Sequence, residues 1–251
     1  VVEGNTFLAT DLFIKGNDAS INGDYKTAIN YFRQLVELQP DENYLAIKLA
    51  SDLIRDGQLH EGEKILEKAY HQSKNEDDAV GVILAGVYIA REKTEMARVI
   101  YKRIIKTSTE IEDACMFLAK DLAFEKKYDQ AHALLINCEK KDKDVPVYSF
   151  YRGKIEFERG HQKLSESFLR HSLKVDPSFY QAALVLGSLY EKKSDFKSAV
   201  KIYKQFIENT GNGTNVPVLS RLVPLLFLIK ENMAAMPYAE RLCSLNKNCT
   251  R

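Results

Sequence analysis

Tryptophan is absent from this chain, proline occurs 6 times and glycine 12 times in 251 residues. A large β-sandwich needs more turn-formers than that, so the balance tilts towards helix. Charge of one sign is also lacking: 36 Lys and Arg face 35 Asp and Glu, a net charge of +1. That leaves no basic excess of the kind that marks a nucleic-acid-binding face, so no nucleic-acid partner is expected. The mixed run Glu139-Lys140-Lys141-Asp142-Lys143-Asp144 reads as a solvated helix end and loop. No apolar run approaches the roughly 18 residues of a membrane span. The longest, Leu222 to Ile229, is interrupted by Pro224. The N-terminus, Val1-Val2-Glu3-Gly4-Asn5-Thr6, does not have the form of a signal peptide and reads as a trimmed boundary. The four cysteines, Cys115, Cys138, Cys243 and Cys249, form no Cys-x-x-Cys pair, which argues against zinc ribbons and thioredoxin-like chemistry.

Catalytic patterns are missing too. There is no His-Glu-x-x-His, no Gly-x-Ser-x-Gly and no glycine loop to cradle phosphate. His60, His71, His132, His161 and His171 show no ligand spacing. They read as partly exposed polar residues at turns and faces. The expectation is therefore a protein that is not an enzyme, with no catalytic residue, no cofactor and no metal.

What the chain does have is a period. In Gly23-Asp24-Tyr25-Lys26-Thr27-Ala28-Ile29-Asn30-Tyr31-Phe32-Arg33-Gln34-Leu35, a Gly-Asp turn opens an amphipathic helix that ends before Pro40. Ala28, Phe32 and Leu35, spaced four then three, lie on one helical face. The frame recurs at Ala97, Tyr101 and Ile104, at Ala131, Leu135 and Cys138, and at Ala199, Tyr203 and Phe206. Weaker copies sit at Gly62, Leu66 and Ala69, and at Ser165, Leu169 and Ser172. Twelve residues before each lies another small residue: Gly16, Ala50, Ala85, Ala119, Gly153 and Gly187. Repeats then start near residues 9, 43, 78, 112, 146 and 180, in steps of 34, 35, 34, 34 and 34. A recurrence of this length marks a repeat architecture, in which each unit buries its apolar face only by stacking on its neighbours.

The pattern resembles the tetratricopeptide repeat family, best in the first and sixth repeats. The sixth reads Ala183-Leu184-Val185-Leu186-Gly187-Ser188-Leu189-Tyr190, then Ser194-Asp195-Phe196-Lys197-Ser198-Ala199. The family's first-helix tryptophan is replaced by Leu12, Ala46, Gly81, Cys115, Ser149 and Ala183. The resemblance implies an all-α fold: a right-handed α-solenoid of stacked antiparallel helix hairpins. It implies one domain over 1–251, with repeats near 9–42, 43–77, 78–111, 112–145, 146–179 and 180–213 and an irregular seventh hairpin at 214–251. Helices are expected there at roughly Val216 to Glu231 and Met236 to Lys247. The linker Thr210-Gly211-Asn212-Gly213-Thr214-Asn215 reads as a helix cap and loop. Cys115 and Cys138 come together across the fourth hairpin; a bridge is conceivable, but both are ordinary core positions, and packed free thiols are the expectation.

In this family the first helices line the concave face and hold partners. Carried over position by position, that gives a groove of Phe13, Asn17, Tyr44, Ile47, Arg55, Met116, Lys120, Phe124, Phe150, Lys154, Phe157 and Leu184. Phe124, Phe150 and Phe157, with Lys120 and Lys154, form its centre. The same spacing also fits a core stripe, and that alternative stays open. The carboxylate-gripping pattern of chaperone-binding relatives is absent, since Phe13 stands where their lysine does. So is the asparagine ladder of sugar-transferase relatives, whose places hold Ile14, Lys48, Ile83, Phe117, Tyr151 and Val185. The expected function is a protein-interaction scaffold or adaptor for a peptide or protein partner with apolar anchors and acidic residues. The alternative is a recruiting segment of a larger enzyme or envelope-assembly protein. Glu/Lys-rich helices with irregular loops resemble bacterial tetratricopeptide proteins, with the cytoplasm read ahead of the envelope as the compartment. The last first-helix, apolar nearly all round, leads us to expect further repeats or an oligomer contact at that end.

Overall fold

The computed structural model describes residues 2–211 and 213–245, with side chains from residue 7 onward. Cys249, Lys247 and Asn212, all named in the sequence reading, lie outside the described residues. The described chain is a succession of helices without a strand: α1 Val2–Ile21, α2 Tyr25–Leu38, α3 Asn43–Arg55, α4 Leu59–Gln72, α5 Asp78–Ala90, α6 Thr94–Thr107, α7 Glu112–Phe124, α8 Tyr128–Lys141, α9 Pro146–Glu158, α10 Gln162–Val175, α11 Tyr180–Lys192, α12 Phe196–Thr210, α13 Val216–Leu228 and α14 Asn232–Leu245. Helices α3, α5, α7, α9 and α11 begin at 43, 78, 112, 146 and 180, where the period of the sequence begins. The first helix starts earlier than that period requires.

Within every hairpin the two helices are joined by three residues, and the middle one is left-handed: Gly23, Gly57, Glu92, Lys126, Gly160, Ser194 and Lys230. The third residue sends its N–H back to a carbonyl of the preceding helix, as in Asp24 to Ala19 (2.9 Å), Gln58 to Leu53 (2.7 Å), Lys127 to Leu122 (2.8 Å) and Asp195 to Tyr190 (3.0 Å). This bond satisfies a carbonyl that the helix end would otherwise leave unpaired. The same residue opens the next helix, and the Asp24 and Asp195 carboxylates accept from the N–H groups of Thr27 and Ser198.

Close approach inside the hairpins depends on small residues facing large ones sixteen positions later. A Cβ on Gly16 would stand 3.1 Å from the Phe32 ring, one on Gly153 2.8 Å from Leu169, and one on Gly187 2.2 Å from Tyr203. The pegs Phe32, Leu169 and Tyr203 are fully buried.

The contacts divide the chain into two compact units, residues 1–114 and 115–251. The first packs around Phe32, Leu35, Leu45, Leu49 and Leu53 at its N-terminal end. The second contains a core of Phe150, Leu169, Leu186, Tyr203, Phe206, Leu222 and Leu226. One expectation is corrected here. Cys115 and Cys138 are not packed free thiols; they are bonded to each other across α7 and α8, with Cα atoms 6.4 Å apart and both side chains buried. Antiparallel helices bring the two Cβ atoms within reach of each other. The Cys243 sulfur is likewise in a disulfide.

Candidate partner-binding surface

The first helices of the second unit, α7, α9, α11 and α13, present one side to solvent. Its most exposed large side chain is Phe124, at the last residue of α7, with 89% of its surface accessible. Phe124 borders a depression of about 240 Å³ with Lys120, Tyr151, Lys154 and Glu158. Lys120 and Lys154 both stand over the Tyr151 ring, at 5.0 and 5.8 Å from its centroid. Cations at that distance are held by the quadrupole of the ring.

Lys154 and Glu158 continue into a second, larger depression of about 400 Å³ between α9, α11 and α13. Phe157, Leu184, Val185 and Pro217 form its apolar lining, and Ser188 and Arg221 its polar edge. Lys192 lies 3.9 Å above the Phe157 ring. Arg221 donates to the Ser188 hydroxyl (3.3 Å) and stands 3.6 Å from the Glu191 carboxylate. The four cations of this side, Lys120, Lys154, Lys192 and Arg221, thus outnumber Glu158 and Glu191.

The twelve residues expected to line a groove fall in both units, five in the first and seven in the second. Lys120, Phe124, Lys154, Phe157 and Leu184 do come together in the second unit. In the first unit the Phe13 and Tyr44 rings lie 6.1 Å apart, and Lys48 stands over the Tyr44 ring and donates to the Asn17 side chain (3.1 Å); Ile47 is half-buried. Arg55 is turned towards α2, 5.8 Å from the Tyr25 ring. Met116 and Phe150 are buried, and this corrects their placement in an open groove. Phe150 packs edge-on against Tyr151 and Phe179, with centroids 5.1 and 5.2 Å apart. The reason is positional. Phe13, Ile47, Met116, Phe150 and Leu184 share one place in the repeat, on the flank where successive first helices meet, and they range from half-buried to buried. One residue later the helix has turned about 100°, so Tyr151 and Val185 face the opening. These two, with Glu158, Lys192, Pro217 and Arg221, are what the sequence reading missed. Tyr151 and Val185 carried a signal, because they occupy the ladder places of other family members.

Buried carboxylates brace the hairpins behind this surface. Glu156 accepts from His132 (2.7 Å), His161 (2.5 Å) and Arg159 (3.0 Å). Burial alone would push its carboxyl up, but the hydrogen bonds from His161 and His132 and the Arg159 charge hold it below the ordinary carboxylate value. In the first unit Glu63 is held the same way by Lys93 and Arg91.

The tetratricopeptide repeat family pattern matches residues 14–42 and 180–211, the first and sixth repeats. The chain carries tetratricopeptide repeats. Its curated relative, tetratricopeptide repeat protein 21A of Mus musculus, is 25% identical over 235 residues, covering 80% of this chain. This chain spans 17% of the length of that relative. The relative is murine, so the bacterial branch of the family is not singled out. Among solved structures, the C-terminal part of a tetratricopeptide-repeat-containing protein from Cytophaga hutchinsonii superposes with a TM-score of 0.63 at 14% identity, over 94% of this chain and 97% of that one. PilF of Pseudomonas aeruginosa gives 0.56 at 18% identity over 81% and 91%. A chain from the Cut9–Hcn1 hetero-tetramer of the anaphase-promoting complex gives 0.52 at 14% identity, over 94% of this chain and 46% of its own length. These likenesses show an all-α helical-repeat solenoid. Among the described residues no helix is long and apolar enough to cross a membrane.

Proposed function

We propose that this tetratricopeptide-repeat protein is an interaction scaffold whose protein partner seats on the first-helix side of the second unit. Solenoids of this kind are generally non-catalytic and use their extended repeat surfaces to hold other proteins. A structural neighbour is part of a hetero-tetramer, which is consistent with that role. The observation that carries the reading is Phe124. Phe124 is 89% exposed and borders, with two lysines and a tyrosine, a depression that can take a partner side chain. Aromatic residues of this kind are the ones that dominate interface energies. The chain covers a small part of its murine relative, which favours as a second reading a recruiting segment within a larger protein.

Affinity capture from the native cell, with the captured protein identified by mass spectrometry and then titrated, tests the reading. Phe124→Ala and Phe157→Ala together should weaken that titration about tenfold or more while leaving the thermal unfolding of the chain in place. Phe150→Ala should instead lower stability, by about 3–5 kcal/mol as for other buried phenylalanines. Unchanged affinity in the first double variant would move the partner to another surface.

The C-terminal end carries a separate contact in this proposal. Phe227, Leu228, Met233 and Met236 are exposed there at 44%, 58%, 88% and 49%. Further repeats or a second copy would cover them. Light scattering of this chain should give a mass above that of one copy, falling on Met233→Glu; a monomer in both forms leaves only the further repeats.

A further inference from the structure

The depression between α9, α11 and α13 has a chemistry of its own. Its floor is apolar, with Phe157, Leu184, Val185 and Pro217, and it is large enough for an aliphatic or aromatic side chain with part of its backbone. Cations stand on opposite sides of that floor, Lys154 from α9 and Arg221 from α13. Neither is locked in a buried ion pair. Arg221 is half exposed, and its 3.6 Å approach to Glu191 is longer than a strong charge-assisted hydrogen bond. A carboxylate entering from solvent therefore meets a guanidinium ready to accept a second partner.

We infer that this depression is an anchor site for an acidic peptide segment: a Leu, Ile or Phe side chain inserts over Leu184 and Val185, and Asp or Glu residues on either side of it pair with Lys154 and Arg221. The inference rests on the scaffold reading above and names the chemistry of its partner. Charge complementarity selects the occupant. The cations on this side exceed the carboxylates, which disfavours a basic segment, and the apolar floor disfavours a purely polar one. Glu158 lies within the same rim, so a nucleic-acid phosphate chain would meet a like charge there, whereas a peptide can place its acids beside the cations alone. Burial of the anchor supplies the affinity and the charge pairs supply register and encounter rate.

The test uses the whole chain as bait for a phage-displayed library of random dodecapeptides, with Ser188→Trp as counter-selection. The tryptophan fills the depression from its polar edge, where Ser188 is only partly buried. Selected peptides should carry one Leu, Ile or Phe between acidic residues. In fluorescence anisotropy they should lose about tenfold or more in affinity to Ser188→Trp and to Arg221→Glu, and weaken as salt rises. Circular dichroism melting of both variants separates lost binding from lost fold. Because Arg221 is half exposed, its variant retains the fold even if the tryptophan does not. Absence of enrichment, enrichment of basic or uncharged peptides, or affinities that ignore both variants would overturn the inference. So would oligouridylate binding that is lost on Arg221→Glu, which would make the site one for RNA. Peptides that depend on Phe124 but not on Ser188 or Arg221 would leave the scaffold surface standing and remove this site alone. Peptides that depend on the depression but not on Phe124 would keep this site and displace the Phe124-centred reading.

Discussion

Gly187 faces Tyr203 at a distance that admits no side chain: an added Cβ would lie 2.2 Å from the ring carbon Cζ. The ring cannot retreat easily, because it is fully buried and its hydroxyl donates to Glu191 (2.7 Å). Gly187→Ala should therefore destabilise the protein, by about 1–3 kcal/mol as for other overpacked cores. Gly86 has no neighbour within 4 Å of an added Cβ and lies inside α5. Gly86→Ala should gain about 0.5–1 kcal/mol from helix propensity, and urea unfolding of the two variants measures both effects. At Glu156 the residue scale also sets a pH dependence. Its folded carboxyl titrates below the ordinary value, so the unfolded chain takes up a proton more readily than the folded one. The stability it contributes is complete above the usual carboxylate value of about 4.3 and is lost as pH falls through the lower folded value. Between about pH 5 and 3 the melting temperature of Glu156→Gln should fall less steeply than that of the unmodified chain. Parallel curves would mean that Glu156 is not the group responsible.

At the scale of the element, the bond between Cys115 and Cys138 ties the two helices of one hairpin over a sequence separation of 23. Closing a loop of that length stabilises by about 3 kcal/mol in the chain-entropy account. Reduction under native buffer should lower the urea midpoint accordingly, and alkylation of the unreduced chain should find no free thiol at either position. A bridge of this kind persists in an oxidising compartment, which weighs against the cytoplasm read from sequence. How legible the elements were depends on what each signal encodes. Helix positions were legible because small and large residues alternate at fixed intervals, and that alternation is the packing itself, as Gly16 with Phe32 and Gly153 with Leu169 show. The exposed face was less so. Repeat position names the same place on every first helix, but the limits of the opening depend on how closely the next helix approaches. Phe150 and Tyr151 are adjacent aromatic residues; Phe150 packs into the core beside Phe179, and Tyr151, one residue on, faces the opening. The sulfur bridge was less legible still, since two core cysteines read alike whether bonded or free.

At the scale of the whole molecule, the described residues form seven hairpins that fall into two compact units, and the candidate surface lies wholly in the second. The seventh hairpin stood apart in the sequence because its register is shifted, and the cause is now visible. Helix α12 has 15 residues where the other second helices have 14, and the link that follows it, 211–215, has five residues where most have four. The step of 35 from the second repeat to the third has the same origin, in the five-residue link 73–77. The turns inside hairpins never vary: each has three residues with a left-handed one in the middle. The molecule therefore separates two kinds of joint. One is a fixed knuckle, in which a single residue more or less would break the returning N–H bond and rotate the second helix off its partner. The other is a spacer that has already absorbed additions. Through descent, insertions and deletions should collect at the spacers 39–42, 73–77, 108–111, 142–145, 176–179 and 211–215, and a foreign loop or tag grafted into this protein belongs there.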